Sequence, residues 1–108
     1  MTLKSVTDAN FAQDVLQSSL PVVVDFSAAS SGPCREVLPS LEAIAAEYPA
    51  TIEIVTLDID ANPVTTARYN VMSLPTLNVF QGGELVQTIV GALPKAALEH
   101  DLAEFLQS

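Results

Sequence analysis

"VVVDFSAASSGPCREVLPSLEAIAAEY", residues 22–48, decides how the rest of the chain is read. Val22, Val23, Val24 and Phe26 form a β-branched, nearly continuous apolar run, as expected of a central strand covered on both faces. Asp25 is the anomaly inside it. The run empties into Ser27-Ala28-Ala29-Ser30-Ser31 and then a Gly32-Pro33-Cys34 turn. From Cys34 onward Val37, Leu41, Ile44, Ala45 and Tyr48 recur at helical spacing, so the stretch predicts strand, turn, helix. Pro39 removes an internal hydrogen bond and is expected to kink that helix after its first turn, and Pro49 stops it.

Working outward, residues 52–58 read as a second strand, which makes a strand–helix–strand unit and implies a parallel crossover. Asn62-Pro63 supplies a cap and a proline at the first helical position for a short helix reaching about Tyr69. The pattern then changes. Residues 76–80 and 85–90 are two strand candidates joined by Gln81-Gly82-Gly83-Glu84, an expected antiparallel hairpin. A last helix after Pro94 carries Leu98, Leu102, Phe105 and Leu106 on one stripe. Toward the N-terminus, residues 3–6 read as a short strand, and Thr7 or Asp8 as the cap of a helix that shows Phe11, Val15 and Leu16 on one side and ends near Ser18.

The chain has 108 residues, 49% of them hydrophobic, which suits one small domain, 1–108, with no room for a second. No apolar run approaches the roughly 20 residues that span a bilayer. The first five residues lack the features of a secretory signal, which points to the cytoplasm. Thirteen acidic against four basic residues give a net charge of -9, which argues against nucleic acid and anionic membrane as partners. Cys34 is the only cysteine, so no internal disulfide and no cysteine cluster for zinc or iron–sulfur can form. Neither a metal nor another cofactor is expected.

The order of elements, Asp25 in its strand, Gly32-Pro33-Cys34-Arg35 opening a helix, Ser73-Leu74-Pro75-Thr76 before the hairpin, and the stretches "DIDANP", "VFQGGE" and "IVGALPK" together resemble the thioredoxin family over almost the whole chain. The resemblance implies an α/β thioredoxin fold, a five-stranded mixed sheet flanked by four helices, with a cis bond before Pro75 placing that segment beside the Gly-Pro-Cys turn. It also implies a redox site in which a first cysteine attacks a target disulfide and a second resolves the mixed disulfide, with the buried aspartate passing a proton to the second. Cys34 and Asp25 match that second cysteine and that aspartate. The first cysteine is replaced by Ser31, the tryptophans of the family pattern by Ser27 and Ser30, and the lysine near the aspartate by Thr56.

These departures lead to the expectation of a redox-inactive binding or adaptor module. A thiol ionises near pH 8.5, about where a positioned base can be dispensed with, whereas the Ser31 alcohol needs one. The sole histidine, His100, is expected on the solvent side of the last helix. By resemblance, Ser30, Ser31, Gly32, Pro33, Met72, Leu74, Pro75, Gly91 and Ala92 form the surface that holds a protein or peptide partner in extended form. The alternatives are exchange through Cys34 as a lone thiol, forming a mixed disulfide with a partner, a repurposed enzyme in the space left by the two tryptophans, and an engineered inactive variant. For Asp25, the absence of a nearby cation predicts a raised pKa.

Overall fold

The computed structural model describes residues 3–107. Strands β1 (Lys4–Ser5), β2 (Val22–Ser27), β3 (Glu53–Asp58), β4 (Thr76–Gln81) and β5 (Glu84–Val90) build one sheet in the order β1-β3-β2-β4-β5. β1 and β2 run parallel to β3, while β4 is antiparallel to both β2 and β5. This is the expected mixed five-stranded sheet. Its hairpin turns on Gly82 and Gly83, with φ of 61° and 83°; two successive positive φ angles match the twist of the flanking strands, and glycine adopts them without steric cost.

Helix α1 (Gly32–Glu47) returns the chain from β2 to β3, α2 (Pro63–Arg68) follows β3, and α3 (Lys95–Asp101) and α4 (Ala103–Leu106) close the chain. A short π-helix, Ala12–Leu16, precedes β2. With α3 and α4 taken as one apolar stripe broken at Leu102, four helical segments flank the sheet.

Alternation along the strands sorts the core into two layers. Val23, Ile54, Leu77, Val79 and Ile89 pack with Val37, Leu41 and Ile44 of α1 and with Leu98, Leu102 and Phe105. On the opposite face Val22, Val24, Phe26, Val55, Leu57 and Phe80 meet Phe11 and Val15. There the ring of Phe80 meets Phe11 and Tyr69 edge to face while Phe11 and Tyr69 are tilted at 43°, with centroids 5.0 to 5.6 Å apart.

Two local expectations change. The first helix is π-type, its end marked by the Gln17 amide donating to the Ala12 carbonyl five residues back; neither Thr7 nor Asp8 caps it. Thr7 and Asn10 bond each other instead, through the Thr7 amide to Asn10 Oδ1 and the Asn10 amide to Thr7 Oγ1. The extra residue per turn still buries Phe11 and Val15 together. Asn62 does not cap α2 with its side chain: its Oδ1 accepts from the Asp8 amide and its Nδ2 donates to the Asp58 carbonyl. α1 runs on as one helix through Pro39, which lies exposed, so the carbonyl of Arg35 loses its helical partner on the solvent side.

Candidate functional site

Strand register gathers the candidate residues at one end of the sheet. Phe26 of β2 pairs with Thr76 of β4, Thr76 with Val90 of β5, and Ser27 with Asp58 of β3. The loop 28–31 leaving β2, the segment 72–75 entering β4 and the turn 91–93 leaving β5 therefore share that end. The Leu74–Pro75 peptide bond is cis. The Gly91 amide donates to the Pro75 carbonyl at 3.0 Å, and Gly91 takes φ of 103°, a value that disfavours any side chain there. Met72 is 84% exposed, Leu74 is half-buried and Pro75 buried. Ala92 packs on the core layer beneath α1 rather than standing free.

Ser31 is the N-cap of α1. Its backbone is extended, with φ -85° and ψ 119°, and its Oγ accepts from the Cys34 amide at 3.3 Å. Such a cap contributes about 1 kcal/mol relative to alanine. Gly32 and Pro33 fill the first two helical positions, where the missing N–H of proline leaves no intrahelical bond unmade. Cys34 follows on the inner side of the first turn, a free thiol at 5% exposure. Ser30 and Gly32 are exposed, and so is His100, at the far end of the chain from this loop.

Beneath the turn lies Asp25. Register pairs it with Thr56 on one side and Leu77 on the other, and it shares with Val23 and Ser27 the face that α1 covers. At 1% exposure, its Oδ1 has no hydrogen-bond partner among the described residues. Burial alone pushes its carboxyl up from the ordinary 3.8 to about 7, because the charged form is poorly solvated there and no cation offsets the cost. The Thr56 hydroxyl lies within 3.4 Å of Ser5 Oγ.

Asp25 and Cys34 line one cavity of about 420 Å³, together with Ser27, Thr56, Ala28 and Leu38. Serine at position 27 borders this space, whereas Ser30 does not. Arg35 stands at the rim, its Nη1 donating to the Ala29 carbonyl at 2.7 Å. Ser31, Pro33, Met72, Pro75 and Gly91 line no part of it. The candidate residues thus fall into two groups: a cavity holding thiol and carboxyl, and an outer surface around Pro75. Val6, Asp58 and Asn62 also line the cavity, and sequence patterning gave no sign of it for any of them. Their convergence depends on β1 and α2 being brought to the same end of the sheet.

Comparison with known proteins fits this architecture. Residues 2–104 match the family described as Thioredoxin. The chain is 65% identical over 96 residues to Thioredoxin of Streptomyces clavuligerus, covering 89% of each chain. It is 46% identical over 106 residues to Thioredoxin of Porphyra purpurea, covering 98% of this chain and 99% of the relative. To Thioredoxin of Synechocystis it is 46% identical over 101 residues, covering 94% of each. Thioredoxin names a redox protein, and against these relatives the expected redox-inactive adaptor does not stand. Its flaw was physical as well. Serine instead of cysteine at position 31 removes internal resolution of a mixed disulfide, but the exchange step itself needs only one thiolate and a disulfide. With its sheet, the family match over residues 2–104 and its matching relatives taken together, the chain belongs to the thioredoxin family.

Proposed function

We propose that this chain carries out thiol–disulfide exchange through a single cysteine, Cys34, with a protein or peptide disulfide as its partner. The observation that carries this reading is the pairing of Cys34 with the buried Asp25 around one cavity, at the sheet end where the Pro75 segment also lies. Asp25, with its affinity for a proton raised to near neutrality, takes the proton of the Cys34 thiol. The Cys34 thiolate attacks one sulfur of the partner's disulfide, forming a Cys34–partner disulfide and releasing the partner's other sulfur as a thiolate. A thiol from a second molecule, as its thiolate, then attacks the mixed disulfide, joins the partner's sulfur and releases the Cys34 thiolate, which recovers its proton. No net oxidant is needed, since each step exchanges one disulfide for another.

Ser30 to Pro33, Met72 to Pro75 and Gly91, backed by the partly buried Ala92, offer the outer surface for an extended peptide, where backbone hydrogen bonds supply affinity. The cytoplasm, which keeps thiols reduced and supplies the second thiol, is the compartment this chemistry calls for.

Mass spectrometry tests the reading. Reduced protein incubated with a symmetrical peptide disulfide is expected to gain one peptide mass on Cys34 and to lose it on addition of glutathione, and Cys34→Ala is expected to gain none. A wild-type protein that stays unmodified while dithiothreitol in parallel reduces the same peptide would overturn it.

A further inference from the structure

The cavity under α1 has the makings of a ligand site in its own right. Its volume of about 420 Å³ falls in the range of small-molecule pockets, roughly 300 to 1,000 Å³. Val6, Ala28 and Leu38 give it apolar walls, and exposed Ala29, Arg35 and Asp58 stand at its mouth. On its inner side is one polar feature of a different kind, the Asp25 carboxyl, 1% exposed, with Oδ1 accepting nothing from the described residues. A buried acceptor without a donor is costly, and a ligand that supplies the donor recovers that cost on binding.

The ionisable groups around the cavity decide which donor. Besides Asp25 they are Cys34, Arg35 and Asp58. The Arg35 guanidinium is engaged with the Ala29 carbonyl at 2.7 Å, and Asp58 Oδ1 accepts from the Asp60 amide. No lysine reaches the cavity. Above about pH 7, where Asp25 is ionised, two carboxylates outnumber the single Arg35 guanidinium and disfavour an anionic head group. A neutral alcohol can donate one bond but leaves the Asp25 charge uncompensated once the carboxyl ionises above about pH 7. An ammonium group does both, since it carries three donors and a full positive charge.

We propose that this cavity binds a small primary amine with an apolar body, its ammonium paired with the Asp25 carboxylate and its hydrocarbon against Val6, Ala28 and Leu38. The proposal goes beyond the exchange chemistry and does not depend on it: the contacts it uses would hold whether or not Cys34 reacts. Occupancy would nevertheless sit beside Cys34 and cover it. Because an ammonium favours ionised Asp25, binding below pH 7 displaces the proton that the carboxyl otherwise holds.

Calorimetric titration with phenethylamine, 2-phenylethanol and phenylacetate separates the contributions, since the three share a ring and differ in the head group. Phenethylamine is expected to bind at one site, at least tenfold more tightly than the alcohol, with phenylacetate not binding. Its affinity should fall about tenfold from pH 8 to pH 6, the change set by protonation of a group titrating near 7, with proton release at pH 6 seen as a dependence on buffer ionisation heat. Asp25→Asn should cost at least tenfold and remove the pH dependence. Ser27→Trp, which fills the cavity and leaves Asp25 in place, should abolish binding. Equal affinity for amine and alcohol, unchanged binding in either variant, or no heat with millimolar phenethylamine would each overturn the proposal.

Discussion

Asp25 carries a carboxyl where its neighbours Val24 and Phe26 are wholly buried, and the consequence is measurable as a function of pH. Its folded pKa is about 7 against an ordinary 3.8, so the folded state holds a proton that the unfolded state releases over that interval. The sign follows: the contribution is fully present below the unfolded pKa and is lost as pH rises through about 7. Three units correspond to roughly 4 kcal/mol across the whole window. Asp25→Asn keeps the shape and removes the charge. Urea denaturation should find the variant more stable than wild type at pH 8, with the advantage larger by roughly 2 to 3 kcal/mol than at pH 5. A constant difference between the two proteins at both pH values would mean that Asp25 titrates as it does in the unfolded chain. The raised pKa was legible from sequence, because an acid inside Val22-Val23-Val24-Asp25-Phe26 with Thr56 opposite has no cation to meet. The orphaned Oδ1 and the cavity beside it were not, since both depend on which side chains α1 and β1 bring to that face.

Element by element, what could be read in advance follows a physical division. Strands β2 and β4 and helix α1 announce themselves through their apolar patterns, because each is buried within the sheet or against it. Strand β5 buries only Ile89 and is read from its hairpin turn with β4. Ends and connections depend on partners distant in sequence, and there the reading went astray. Asp8 shows this most clearly. It is a plausible cap for the helix that follows it, yet its carboxylate spans 56 and 57 positions to accept the amides of Val64 and Thr65 at 3.1 and 2.8 Å. It therefore caps α2 from outside, in place of Asn62, which in turn accepts from the Asp8 amide. The split between α3 and α4 at Leu102 is equally hidden, since one apolar stripe continues across it. Hydrogen bonding from Thr65, followed by the Val64 amide and the Arg68 charge, holds the Asp8 carboxyl below its ordinary 3.8. A lowered pKa stabilises the fold above the unfolded value and is lost as pH falls through the folded one. Asp8→Ala should thus lower the urea midpoint at pH 7 and speed amide exchange at Val64 and Thr65, with the difference from wild type shrinking below about pH 4. If exchange in α2 is unaltered, the tether across the chain contributes nothing to holding that helix.

At the scale of the molecule the governing quantity is charge. Thirteen acidic residues and four basic ones are carried on a body with a radius of gyration of 12.5 Å, so most like charges lie within a Debye length or two of one another at 0.1 M salt, where that length is about 10 Å. Opposing this are three ion pairs among the described residues, Lys4 with Asp14 at 3.3 Å and Lys95 with Glu47 and Glu99 at 2.8 and 3.4 Å. All are at the surface, where ion pairs contribute little and screening weakens them further. Repulsion among the remaining carboxylates acts over longer distances and in every direction, so added salt should relieve more than it removes. Thermal unfolding at pH 7 is therefore expected to shift upward between 10 and 200 mM sodium chloride, by roughly 5 °C for each 1 kcal/mol of repulsion screened in a domain of this size. Lys95→Gln should steepen that rise, because it deletes a cation and both of its pairs while leaving the acidic excess larger by one. A midpoint that falls with salt, or a variant whose salt response is flatter than wild type, would show that the three local pairs outweigh the net charge.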